Sequence, residues 1–169
     1  MPILPFLRSR AVFCSAIIIL SAGVFSEAAL AQDVEQANRP GLQSLVIVSD
    51  NKKYRFKVEV AHTPEEQRKG LMHREKLKVD HGMLFAFKDR KMRSFWMHNT
   101  NIALDMLFIG KDGEIRHIHH NAEPNNRKNI SSQVPVRAVL EINGGLADQY
   151  GIENGDTVHH ALFSNALAP

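Results

Sequence analysis

The stretch A-L-D-M-L-F-I-G-K-D-G-E-I-R-H-I-H-H, Ala103 to His120, decides the fold class. Its first part, through Ile109, is apolar apart from Asp105 and has the length of a strand rather than a helix. Gly110-Lys111-Asp112-Gly113 then gives a hairpin signal, because Gly and Asp tolerate the left-handed backbone that short turns need. Glu114 to His120 returns as the partner strand.

The same alphabet recurs on both sides. Leu45 to Val48 is a short apolar run, and Tyr54, Phe56, Val58 and Val60 alternate with Arg55, Lys57 and Glu59. That period of two predicts a strand with one buried and one wet face. Thr63-Pro64-Glu65-Glu66 carries a capping box with proline at the first helical position, which predicts a short helix to about Lys69, ended by Gly70. Further strands are expected at Gly82–Phe87, Arg93–Met97 and Arg137–Asn143. Gly144-Gly145 opens a helical Leu146–Tyr150, stopped by Gly151, and Asn154-Gly155-Asp156 turns into a last strand, Thr157–Phe163. The sum is a mainly β, compact antiparallel barrel-like or sandwich domain with two short helices. A doubly wound α/β fold would need longer helices between its strands.

The N-terminus reads differently. Arg8 and Arg10 precede the apolar Ala11–Phe25, and Ala29 and Ala31 stand at cleavage positions, the layout of a signal peptide over residues 1–31. Residues 32–43 form a polar, flexible lead-in, and 44–165 a single β-rich domain. The expected location is the periplasm or the exterior, with membrane contact only through the signal segment before cleavage. The sole cysteine, Cys14, leaves with that segment, so thiol chemistry and internal disulfides are excluded from the mature chain. The net charge of +3 comes from interspersed charges without a basic block, so nucleic acid is not an expected partner.

Several constellations could carry chemistry. In His117-Ile118-His119-His120, His117 and His119 share a strand face and could hold zinc or copper, with His159 or His160 as a further ligand. The competing reading is a pair of solvated strand-face histidines. Met92, Met97 and Met106, near His98, could suit Cu(I), although methionines in apolar runs ordinarily fill core gaps. No cofactor is expected on balance. No Gly-x-Ser-x-Gly elbow exists, and a hydrolase would rest on Asp105 and Glu123 alone. Asp105 shares a face with Leu107, so it needs hydrogen bonds or an arginine; Arg74, Arg93, Arg137 and the side chains of Asn99 and Thr100 are the candidates. Trp96, beside Phe95, reads as a core residue near the barrel end, where its indole N–H can meet a polar group.

Gly70-Leu-Met-His-Arg, His81-Gly-Met-Leu-Phe, the long block Ser94-Phe-Trp-Met-His-Asn-Thr through Leu104-Asp-Met-Leu-Phe, Arg137-Ala-Val-Leu-Glu-Ile-Asn and Gly151-Ile-Glu-Asn-Gly-Asp resemble, in order, the blocks of the family known as domain of unknown function 192. The resemblance implies a mostly β, barrel-like fold and no established activity. It marks Arg74, Asn99, Thr100, Asp105 and Glu141 as signature polar positions. It also shows two departures, His98 where the family carries Lys or Arg and Ala103 where it carries Pro. The functional expectation is an exported, non-catalytic binding or accessory module. Its candidate binding site is Arg74, Trp96, His98, Asn99, Thr100 and Asp105, and its partner is a small polar ligand or an envelope protein. The alternative is a periplasmic zinc or copper protein using His117 and His119, and the third reading is a hydrolase.

Overall fold

A computed structural model describes residues 41–167. The signal-peptide expectation and most of the lead-in therefore lie outside the described residues. The alternating residues form the strands foreseen for them: β1 is Gln43–Ser49 and β2 Lys52–Ala61, paired antiparallel from Gln43↔Val58 to Ser49↔Lys52. Helix α1, Pro64–Lys69, starts with the capping box: Thr63 Oγ1 accepts the Glu66 N–H at 3.2 Å, and Glu66 Oε2 accepts the Thr63 N–H at 2.9 Å. Strand β3, His81–Lys91, then runs parallel to β2, because α1 and the loop after it carry the chain back across the sheet. That pair is the exception to the antiparallel pattern.

Strands β4 (Ser94–Phe95) and β7 (Ile130–Ser131) make a separate two-stranded ladder. Strands β5 (Leu104–Ile109), β6 (Ile115–Ala122), β8 (Val136–Asn143) and β9 (Thr157–His159) complete the main sheet, ordered β6-β5-β8-β3-β2-β1-β9. The sheet curls until its edges meet: Glu114 bridges Thr157, and Val158 N–H donates to the Gly113 carbonyl at 2.8 Å. This is the barrel-like domain expected, closed at the tip of the Gly110–Gly113 hairpin.

Strand alternation divides the core. Leu45, Ile47, Phe56, Leu84, Leu107, Leu140 and Ile142 fill the inner face, together with Leu146 and Ala147 of the second helix, α2 (Leu146–Tyr150). Met83, Phe85, Leu104, Met106, Phe108 and Val139 pack on the other face, under Leu71, Leu77 and Met97 from loops. Gly82 lets β3 lie against β8: a Cβ there would stand 2.6 Å from the Glu141 carbonyl oxygen.

Two expected strands end early. Arg93–Met97 is extended and paired only at Ser94–Phe95, because Met97 N–H leaves the ladder for the Asn126 carbonyl at 2.9 Å. Trp96 is not a core residue but 52% exposed, because alternation along the segment turns Phe95 and the buried Met97 inward and Ser94 and Trp96 outward. The last strand stops at His159. His160 Nδ1 accepts the Leu162 N–H at 3.1 Å and caps a 3₁₀ turn, Ala161–Phe163.

Candidate functional site

Three loops converge on the Trp96 turn. His73 N–H donates to the Asn99 carbonyl at 2.8 Å, Asn125 N–H to the Thr100 carbonyl at 3.0 Å, and Met97 N–H to Asn126. Asn99 takes a left-handed backbone, φ 53°, which asparagine tolerates better than most residues. The resulting lip presents Trp96 with its ring against His98, centroids 5.1 Å apart and planes tilted 48°. His98 and Asn99 are half-buried beside it, and Thr100 is buried beneath. Asn101 joins the rim to the first loop, its Nδ2 donating to Glu75 Oε1 at 3.1 Å.

Arg74 is tied to the lip through its neighbours His73 and Glu75. Its guanidinium forms a bidentate pair with Glu59 on β2, at 2.6 and 2.8 Å. This fork lowers the Glu59 carboxyl below the usual range and raises Arg74. Glu59 was not singled out from the sequence, since the alternation of β2 makes it look like one more wet-face residue.

Asp105 is fully buried and does not open onto the lip. Its Oδ1 accepts N–H groups from Asn121 at 2.7 Å and Gly145 at 3.0 Å, and its Oδ2 accepts the Ala147 N–H at 2.8 Å. The expected partners, an arginine or the Asn99 and Thr100 side chains, are replaced by backbone amides. Gly145, with φ 84°, adopts the left-handed turn that aims its N–H at the carboxylate. One side chain thus joins β5 to the β6 bulge and to the start of α2. Glu123 stands in an exposed loop, held by Asn126 Nδ2 at 3.0 Å, and shares no hydrogen bond with Asp105.

The histidines are dispersed. His117 stacks on Phe108 at 5.5 Å, and its Nε2 lies 3.1 Å from Gln133 Nε2. Burial, then the charges of His119 and His120, lower the His117 imidazole. His159 Nδ1 bonds to the Asn165 carbonyl. Among the described residues, no three His, Cys, Asp or Glu side chains are grouped to hold a metal. Met92 is exposed, so it does not join Met97 and Met106 in the core. A cavity of about 490 Å³ lies elsewhere, between His120, Asp148 and Asn154, with His120 and Asp148 paired at 2.9 Å. Glu141 is a different kind of group. It is 4% exposed, no donor or cation among the described residues is paired with it, and burial pushes its carboxyl up to about 8.

The comparisons with known proteins agree with this architecture. The crystal structure of a "putative transcription regulator" from Sinorhizobium meliloti 1021 is 38% identical, with a TM-score of 0.70 over 72% of this chain and 95% of its own. A protein of unknown function from Novosphingobium aromaticivorans DSM 12444 is 39% identical, with a TM-score of 0.69 over 70% of this chain and 85% of its own. No curated protein matches. Residues 46–160 match the family model DUF192, described as "Uncharacterized ACR, COG1430". The chain belongs to the domain of unknown function 192 family.

Proposed function

We propose that this chain is an exported, non-catalytic binding or accessory module of the cell envelope, and that the Trp96–His98 lip is its binding surface. The observation that carries the reading is the exposure of Trp96, 52% open although it is the chain's only tryptophan. A large aromatic side chain left half in water forgoes part of its burial energy, and such residues are enriched where partners dock. The turn is pinned by hydrogen bonds from two other loops, so little ordering remains to be done on binding. His98, Asn99 and Asn101 supply donors and acceptors at its edge. A small polar ligand with one apolar face, or a polar patch of an envelope protein, suits that mixture. The reading is non-catalytic because Asp105 uses both oxygens on backbone amides and Glu123 stands without a paired carboxylate.

Native mass spectrometry of untagged protein purified from the periplasm tests it. Wild type is expected to carry a bound species of defined mass that Trp96→Ala loses while melting at the same temperature. A species retained by Trp96→Ala, or none on wild type, overturns the proposal.

A further inference from the structure

Strand register sets a row of side chains across the face opposite the inner core. Glu141 on β8 lies between Met83 on β3 and Met106 on β5, its cross-strand partners on either side. Directly opposed residues share a face, with Cβ atoms roughly 4.5–5.5 Å apart, so two thioethers flank one carboxyl group. All three are nearly sealed, at 4%, 6% and 0% exposure. Met97, 1% exposed, packs into the same cluster from the loop after β4.

What the carboxyl lacks is a partner. Among the described residues no donor or cation is paired with it, and the nearest ion pair in its row, Glu59 with Arg74, is closed on itself. A buried acid of this kind either keeps its proton or takes a cation. The flanking atoms select which cation. Thioethers are soft ligands that favour Cu(I) over zinc, calcium or magnesium. Charge points the same way, since a monovalent ion on one carboxylate leaves the apolar layer neutral, whereas a divalent ion would strand a net positive charge there.

We propose that Glu141, Met83 and Met106, completed by Met97, form a binding site for Cu(I). Met97 reaches it from the Trp96 turn, and His119, the other cross-strand partner of Met106, stands next in the row, outside the carboxyl–thioether set.

The test is anaerobic titration of the untagged protein with Cu(I) against a chromogenic Cu(I) chelator. One ion per chain is expected. Met83→Leu, Met106→Leu and Glu141→Gln should each weaken binding by roughly 10–100-fold, the range for disturbing a metal site, while keeping side-chain volume. His120→Ala, whose imidazole pairs with Asp148 away from the row, should bind as wild type does. Should the methionine variants fail to fold, X-ray absorption on selenomethionine-labelled wild-type protein decides, with copper–selenium scattering expected. No uptake, uptake unaffected by Met106→Leu, uptake abolished by His120→Ala, or no copper–selenium scattering would overturn the assignment.

Discussion

Replacing Asp105 with asparagine removes one charge and one acceptor from a site closed to bulk solvent. The carboxylate takes three backbone N–H groups, two on Oδ1 and one on Oδ2. An asparagine can keep its single oxygen toward Asn121 and Gly145, but its NH₂ group then faces the Ala147 N–H, donor against donor. Leaving that buried N–H unsatisfied costs about 1–3 kcal/mol. Converting the other two bonds from charge-assisted to neutral removes about 0.5–1.5 kcal/mol each. The expected loss is roughly 2–6 kcal/mol, a large share of the 5–15 kcal/mol typical of a domain. Urea denaturation followed by circular dichroism measures it, with Asp105→Ala as the variant that loses every bond. Because the anchor faces away from the lip, material still folded should keep the Trp96 emission of wild type. A loss below about 1 kcal/mol at unchanged denaturant slope would refute the view that this carboxylate staples β5, β6 and α2 together.

Gly82→Ala should destabilise the protein by about 2–3 kcal/mol in the same assay, since its Cβ would press on the Glu141 carbonyl oxygen at 2.6 Å and force β3 off β8. His160 is held neutral by burial, its imidazole lowered to about 4. The unfolded chain protonates near ~6.5, so stability should fall by about 1.4 kcal/mol per pH unit on acidifying from there toward 4; His160→Asn, which can still accept from Leu162, should flatten that slope. Glu141 has the opposite sign. With its carboxyl raised to about 8 and an unfolded value near ~4.3, the metal-free protein should lose about 1.4 kcal/mol per pH unit on alkalinisation between them, and Glu141→Gln should not.

The sequence made the strands legible wherever local rules govern. The alternation from Tyr54 to Val60, the Thr63 capping box and the Gly110–Gly113 turn each hold their physics within a few residues. Asp105 was half legible. Its place on an apolar face demanded partners, but those partners are backbone amides up to 42 residues away, which any residue type can supply. Trp96 misled for another reason. The period of two from Ser94 to Met97 itself turns Phe95 and Met97 inward and Ser94 and Trp96 outward, and the general tendency of tryptophan toward the core pointed against that alternation. The Glu59–Arg74 fork and the Met83–Glu141–Met106 row depend on strand order and register, including the parallel β2–β3 pair, which no local pattern signals.

The most direct test of the lip uses Trp96 as its own reporter, since the chain has no other tryptophan. Its emission is recorded in protein as purified from the periplasm and again after unfolding, dialysis and refolding to strip any bound species. A covered indole emits to the blue of an exposed one, so the account predicts a red shift on stripping and its reversal when the removed fraction is returned. Identical spectra before and after would contradict it, whether or not a bound mass was present at the start.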